Sequence, residues 1–280
     1  MKPLKSGNLR GFTLLETFIA LSIFSGIMVI TTLLLKQSVW VWTSGDSRGS
    51  AGLVLRKART ALVRDLIRAD LDPGPSGEPH ISQTQVPAAL GGGDAIWFLS
   101  AAGPNNGFVR DSDGYPFWQR NVLYYLAKPQ NHDLLYSTTC QASPNPQGDD
   151  YCPHKMLIRV VIDNPPVTVP LPPAGTPPPA GTLPEELISN SAIAGYLLAP
   201  QGLDVSAIQA LPGVEDVQIV STGLLWFKVD PAPSSPATGR QVDLRAVAIN
   251  EATKQISLGA TALFNHPTTL TNVFSLFPKN

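Results

Sequence analysis

The sequence predicts an α+β protein, in which a long N-terminal helix is packed on a β-rich, mainly antiparallel C-terminal domain. An apolar run without any ionisable side chain covers residues 17–35. Apolar residues at helical spacing follow it, until Asp72-Pro73-Gly74-Pro75 ends the pattern. Beyond that point, short β-branched and aromatic runs alternate with turn residues. The 27 prolines and 23 glycines among the 280 residues also favour turns over a helical bundle.

The first helical segment is predicted to cross a membrane. Residues 12–35 are apolar except for Glu16 and a few hydroxyl side chains. A helix of this length reaches about 36 Å, whereas the hydrocarbon core of a bilayer is about 30 Å thick. The preceding leader, residues 1–11, has no acidic residue and three basic ones: Lys2, Lys5 and Arg10. This charge predicts a cytoplasmic N-terminus and a C-terminal domain across the membrane. No small-x-small site ends the apolar run, which disfavours a cleaved secretory signal.

Residues 36–72 are predicted to continue the helix outside the membrane, with a bend near Gly45 or Gly49. Apolar residues recur there at helical spacing: Leu55, Ala58, Leu62, Leu66 and Ala69. Basic residues mostly occupy the other faces of the helix: Arg56, Lys57, Arg59, Arg64 and Arg68. We expect the apolar face to pack on a sheet and the basic face to be solvated. A nucleic-acid surface is disfavoured because the net charge of the chain is −1.

Residues 73–280 are predicted to form a β-rich globular region. Its strand-like runs are bounded by Gly, Pro, Asn or Asp and cover residues 95–100, 121–128, 134–139, 156–162, 217–222, 224–229, 242–249 and 255–263. The last two runs are expected to form a hairpin through residues 250–254. The proline-rich residues 164–184 cannot form a central strand and are predicted to be an exposed excursion or linker. Residues 185–198 are expected to hold a short helix.

The chain is predicted to be non-enzymatic and to need no cofactor. Residues 45–49 match G-x-S-x-G formally, but an apolar helix precedes them instead of a buried strand. The four histidines lie in separate polar or proline-rich segments, without the spacing of zinc ligands: His80, His132, His154 and His266. Asp111 and Asp113, followed by Gly114, resemble the start of a calcium loop but lack its remaining acids. Calcium is therefore a weak candidate, and a polar turn is the preferred interpretation.

The N-terminal residues resemble a type IV prepilin signal. Gly11 follows the basic leader, and Phe12-Thr13-Leu14-Leu15-Glu16 opens the apolar run. This resemblance, which covers about 25 residues, implies that a prepilin peptidase cuts between Gly11 and Phe12 on the cytoplasmic side of the membrane. It also implies that the new amino-terminal residue, Phe12, is N-methylated.

Glu16 is predicted to guide subunit assembly. After the cut, Phe12 carries an ammonium group four residues from Glu16. When the apolar helices of neighbouring subunits pack together, the carboxylate of one subunit can meet the ammonium of the next. In a low dielectric such a pair is costly to leave unmade, so it favours one axial register. The alternative is a capping box, because Thr13-x-x-Glu16 has the residues that satisfy the first amides of a helix. The two roles can coexist.

The size of the chain resembles that of larger minor pilins and pseudopilins, such as J-type components of type II secretion and W-type minor pilins. A fainter resemblance, in residues 57–61 and 244–259, is to pilin-like proteins of the Verru-Chthon cassette. These resemblances imply a subunit of a type II secretion or type IV pilus-like filament. Before assembly it would be a single-pass protein of the bacterial inner membrane with a periplasmic domain, and afterwards it would lie in the filament or at the cell surface.

The partners implied are other pilin-like subunits, the prepilin peptidase and the inner-membrane assembly platform. Two alternatives remain open from the sequence. One is an adhesin or cargo-binding module carried on a pilin stem. The other is a signal-anchored periplasmic protein that is never cut.

Cys140 and Cys152 are predicted to form a disulfide. The resemblance and the basic leader both imply an extracytoplasmic domain, where disulfides form and persist. Eleven residues separate the cysteines, including two prolines and a glycine, so this segment has little structure of its own. Two cysteines at this spacing make neither a C-x-x-C redox pair nor, by themselves, a structural zinc site. The alternative is two free, buried thiols.

Overall fold

The structure is a computed structural model that describes residues 13–69, 80–101, 108–118, 120–137, 140, 152–163, 186–248 and 269–276. The chain divides into two compact units, Met1–Asp46 and Ser47–Asn280. The predicted fold class is confirmed: a long N-terminal helix is followed by a seven-stranded antiparallel sheet, and the second half of the helix packs on that sheet.

The N-terminal helix, α1, covers Leu14–Leu66 and remains helical at Gly45 and Gly49. It ends at Leu66, within the segment 36–72 for which the sequence predicts a helix. After α1 the chain makes a turn tighter than an α-helical one, because the amides of Arg68 and Ala69 donate to the carbonyl oxygens three residues earlier in the chain.

The strands form one meander in which every strand pairs antiparallel with the next along the chain. They are β1 Ile81–Gln85, β2 Asp94–Ser100, β3 Arg120–Ala127, β4 Lys155–Ile162, β5 Val214–Ala232, β6 Ser235–Val247 and β7 Thr269–Leu276. Three short helices join them: α2 His132–Tyr136, α3 Asn190–Ile193 and α4 Ser206–Gln209. The predicted short helix within residues 185–198 is thereby confirmed as α3.

Several predicted strands are confirmed and others are corrected. Strands β2, β3 and β4 lie within one residue of their predicted bounds, whereas β6 begins seven residues before the predicted start at residue 242. The two runs at 217–222 and 224–229 are one strand, β5. The strand predicted at 134–139 is wrong over residues 134–136, because these belong to α2, in which Leu134 is 82% exposed. The predicted strand at 255–263, its hairpin loop and the proline-rich 164–184 lie outside the described residues.

The central strands of the sheet are buried on both faces, and β3 shows this most clearly. All eight of its residues are buried, with alternate side chains contributing to two separate cores. The first core includes one face of α1: Ala51, Leu55, Ala58, Leu62 and Leu66. The second lies under the segment that precedes β5, which contributes Ile188, Ile193, Tyr196, Leu197, Ala199 and Ile208. A sheet covered on both faces explains why its central strands are continuous apolar runs.

A buried carboxylate, Asp65, fixes the last turn of α1 on the sheet. Its Oδ2 accepts hydrogen bonds from the Tyr124 hydroxyl at 2.7 Å and from Arg159 Nε at 2.5 Å. Its Oδ1 accepts from Arg64 Nε at 2.9 Å. Burial alone raises the pKa of Asp65, but these partners outweigh burial and hold that pKa below its ordinary value. The stabilisation is therefore present above the ordinary carboxyl pKa and is lost as the pH falls through the folded-state pKa.

Replacing Arg159 with alanine is expected to lower the free energy of unfolding by about 3 kcal/mol, because it leaves Asp65 buried with one cation fewer. Urea unfolding of the full chain in detergent micelles measures this effect. The control is Lys228→Ala, which removes a pair with Asp230 whose side chains are both about half exposed. That change is expected to cost less than about 1 kcal/mol. Equal losses in the two variants would show that the Asp65 cluster does not hold α1 on the sheet.

Candidate functional site

The first part of α1 presents apolar side chains in every direction. Every described side chain from Thr13 to Trp42 is exposed, including Leu14 at 87% and Phe18 at 67%. The helix is long and apolar enough to cross a membrane. A helix that is apolar all round needs an apolar environment on all sides, either lipid or other helices. This finding is compatible with the predicted single-pass anchor.

The hydroxyl side chains in this apolar segment donate hydrogen bonds to backbone carbonyl oxygens of the same helix. Each donates to the carbonyl oxygen four residues earlier, at 2.7–2.9 Å: Ser22, Ser25, Thr31 and Thr32. Such bonds let polar residues lie in an apolar environment without an outside partner. The segment from residue 17 to residue 35 therefore carries no polar side chain that needs a partner from another molecule.

Glu16 forms the predicted capping box at the start of α1. Its Oε2 accepts from the Thr13 amide and from the Thr13 hydroxyl, both at 2.9 Å, and Thr13 Oγ1 accepts from the Glu16 amide at 3.3 Å. The Glu16 carboxylate accepts both of these hydrogen bonds through the same oxygen, Oε2. Within the described part of the chain, the other oxygen, Oε1, has no hydrogen-bond partner. The cap thus leaves half of the carboxylate available.

The predicted processing junction, Gly11 and Phe12, lies outside the described residues. Cleavage there and methylation of Phe12 stay predictions. The G-x-S-x-G match at residues 45–49 lies inside α1, so it lacks the strand and sharp turn that a nucleophile elbow requires.

Asp111 and Asp113 lie in a turn that is held by its own polar groups. Asp111 Oδ1 accepts from the amides of Asp113 at 3.0 Å and Tyr115 at 2.8 Å, and an Arg110 nitrogen donates to the Gly114 carbonyl. In the part of the chain that the structure describes, these aspartates do not belong to a cluster of three or more potential metal ligands. This geometry favours the polar turn.

Cys140 and Cys152 are joined in a disulfide, as predicted, and two histidines lie against it. His132 Nε2 is 3.3 Å from Cys140 Sγ, 3.5 Å from Cys152 Sγ and 3.0 Å from His154 Nδ1. Burial, together with the neighbouring His132, lowers the pKa of His154 to about 4, so this ring is neutral near pH 7. The expectation that the histidines are scattered is therefore wrong for these two.

The pairing of β3 with β4 brings this group together. Ala127, at the end of β3, lies opposite Met156, near the start of β4. Residues just after β3 and residues just before β4 are consequently neighbours. His132 opens α2 after β3, whereas Cys152 and His154 directly precede β4. The sequence did contain a signal for this group. The run Cys152-Pro153-His154 directly precedes β4, and His132 follows β3, the strand with which β4 pairs.

Loss of the disulfide is expected to cost stability without unfolding the domain. Changing Cys140 and Cys152 together to serine removes the bond that closes a short loop, and we expect this to lower the free energy of unfolding by less than about 3 kcal/mol. Urea unfolding of the full chain in micelles measures the loss. Wild-type protein prepared from the extracytoplasmic side should contain no titratable thiol under denaturing conditions. Two thiols per chain would contradict the disulfide and weaken the case for extracytoplasmic placement.

Comparison of the chain with known protein families, curated protein sequences and solved structures gave no match.

Proposed function

We propose that this chain is a minor pseudopilin, a non-enzymatic subunit of a type II secretion or type IV pilus-like filament, cleaved after Gly11 and N-methylated at Phe12. The proposal rests mainly on Glu16, which lies at the start of an apolar helix exposed on all sides and has one carboxylate oxygen without a hydrogen-bond partner among the described residues. Pilin-like subunits are the class of protein in which such a helix and such a carboxylate are used together.

A simple membrane anchor accounts for less of what is observed. A membrane anchor needs about 20 apolar residues, and a carboxylate in the first turn of its helix does not strengthen the anchoring. The capping box explains one carboxylate oxygen, Oε2, but a polar residue such as Asn or Gln would serve a helix start without a charge. The charge acquires a use when a neighbouring subunit supplies an ammonium group. Because both bonds from Thr13 go to Oε2, the Oε1 of Glu16 can accept a hydrogen bond from that ammonium group.

The architecture also supports this proposal. A long N-terminal apolar helix packed on a β domain is compatible with a pilin-like fold. The second half of α1 is anchored to the sheet by apolar contacts and by the Asp65 cluster. The apolar first half belongs to the same continuous helix and is free to contact lipid or other helices.

In this proposal the chain first spans the bacterial inner membrane once, with its N-terminus in the cytoplasm and its sheet domain in the periplasm. The prepilin peptidase removes residues 1–11, and the assembly platform moves the subunit from lipid into the filament. The apolar side chains of α1 exchange lipid contacts for contacts with other pilin-like subunits. This exchange requires no further covalent chemistry from the chain.

Fractionation of cells that carry the assembly machinery tests the proposal. The chain should appear in sheared filaments when the prepilin peptidase is present, and only in the membrane fraction when the peptidase gene is deleted. The reason is that only the cut chain carries the ammonium that pairs with Glu16. In the strain with the peptidase, the amount of major pilin in each sheared sample serves as the loading control. A chain that stays wholly in the membrane fraction despite an active peptidase would favour the signal-anchored alternative.

A further inference from the structure

Four side chains that commonly bind zinc converge where β3 and β4 meet. One ligand atom from each lies within 4.8 Å of the others: His132, Cys140, Cys152 and His154. Both histidines are nearly inaccessible, at 2% and 3% exposed, and Cys152 is fully buried. Burial of two imidazoles beside two sulfurs is not required by the disulfide, which needs no polar neighbour.

The three spacings from His132 Nε2 to the other ligand atoms are close to those around a tetrahedral zinc ion. With Zn–N near 2.1 Å and Zn–S near 2.3 Å, a regular tetrahedron places two nitrogens about 3.4 Å apart and nitrogen and sulfur about 3.6 Å apart. The nitrogens of His132 and His154 are 3.0 Å apart, and His132 Nε2 is 3.3 and 3.5 Å from the two sulfurs. These three spacings therefore need to change by only a few tenths of an ångström. Reduction must in addition let the two sulfurs, which are bonded to each other in the disulfide, separate to about 3.8 Å, their spacing in a regular tetrahedral site.

His132 is also oriented as a metal ligand. Its Nδ1 lies 2.8 Å from Asp133 Oδ1, so Nδ1–H donates to the carboxylate and the lone pair of Nε2 points toward the two sulfurs. A carboxylate behind a histidine in this way fixes the tautomer and raises the basicity of the ligand nitrogen. Tyr136 stacks on the His154 ring, with 4.0 Å between the ring centroids, and further fixes its orientation.

We propose that His132, Cys140, Cys152 and His154 form a zinc site when the disulfide is reduced. A dithiol reductant donates two electrons and two protons to the Cys140–Cys152 bond, giving two thiols, and is itself oxidised to a disulfide. Binding of Zn²⁺ then releases the two thiol protons to solvent. In the disulfide form the Nδ1–H of His154 donates to Nε2 of His132. On zinc binding, neutral His154 exchanges to the tautomer that carries its proton on Nε2, which frees its Nδ1 to bind the metal.

The disulfide and the zinc site exclude each other because both use the same two sulfurs. In an oxidising compartment the cysteines are held by their covalent bond, as the structure shows. In a reducing one, zinc would tie the end of β3 to the start of β4 in its place. The site thus closes the same loop in either redox state.

Metal titration of the full chain in detergent micelles tests this proposal. The protein is reduced with dithiothreitol, freed of reductant without air, and titrated with Co²⁺ and then with Zn²⁺. We expect one Co²⁺ per reduced chain, with the visible bands of tetrahedral cobalt and a thiolate-to-cobalt charge-transfer band, and displacement by one Zn²⁺. The oxidised chain should bind neither ion at this site. A reduced, folded wild-type chain without these bands would overturn the proposal.

Variants separate the four-ligand site from simple binding by two thiols. His132→Ala and His154→Ala should each lose the tetrahedral cobalt spectrum, whereas His80→Ala, outside the cluster, should keep it. Asp133→Asn, which leaves every ligand in place, should weaken zinc binding about 10–100-fold. Circular dichroism of each oxidised variant checks folding independently of metal. Wild-type spectra and affinity in both histidine variants would show that the thiols alone bind the metal and would contradict the proposed site.

Discussion

Replacing Glu16 with glutamine is expected to reduce incorporation of the chain into filaments at least tenfold, about as strongly as replacing it with alanine. Glutamine keeps an oxygen that can accept from the Thr13 amide and so preserves the capping box. It removes the charge that pairs with the ammonium of a neighbouring Phe12. Truncating one member of a desolvated charge pair costs about 2–5 kcal/mol, and about 1.4 kcal/mol already corresponds to tenfold. Quantitative immunoblotting of sheared filaments measures the change.

The matched control for this prediction is Thr13→Ala. This variant removes the hydroxyl that donates to Glu16 Oε2 and accepts from the Glu16 amide, but it keeps the carboxylate charge. Loss of a cap costs about 1 kcal/mol, so a much smaller defect is expected. The sheet domain should unfold identically in all three variants. Wild-type incorporation of the glutamine variant would mean that Glu16 is only a helix cap and that its charge plays no part in assembly.

Replacing Gly11 with leucine is expected to abolish removal of residues 1–11 while leaving membrane insertion intact. A glycine at the cut site allows a close approach of the peptidase to the backbone, which a bulky side chain prevents. The uncut chain should also fail to assemble, because the Phe12 nitrogen stays an uncharged amide and cannot pair with Glu16. Processing is followed by the mobility shift on gels of membrane fractions.

The leader offers a matched control in Gly7→Leu, which makes the same change in bulk four residues before the junction. This variant should be cut and assembled normally. If Gly11→Leu were processed as completely as Gly7→Leu, the Gly11–Phe12 peptide bond would not be the peptidase site. If both variants failed to insert, the effect would belong to the leader as a whole.

The features that depend on local sequence could be predicted. The helix, its capping box at Thr13 and Glu16, and the central strands all follow from patterns within a few residues. Strand β3 could be predicted because both of its faces are buried, which makes it a continuous apolar run. The edge strand β1, with the sequence ISQTQ, was missed because only one of its residues is fully buried.

The features that depend on tertiary contacts could not be predicted. Leu134 and Leu135 suggested a strand, but they lie in α2, where the buried residue is His132. Asp65 looks like one more charge on a solvated helix face, yet it is buried against Tyr124 and Arg159, which come from strands far along the chain. The cysteine–histidine cluster likewise exists only because β3 and β4 pair in their observed register.

Intact-mass analysis of the protein, purified from cells that contain a prepilin peptidase, tests directly whether the chain is processed as a pseudopilin. We expect a mature chain that begins at Phe12, lacks residues 1–11 and carries one added methyl group on its amino-terminal nitrogen. Fragmentation of the N-terminal peptide places that methyl group. A mature protein that retains Met1–Gly11 in the presence of active peptidase would contradict the assignment as a pseudopilin.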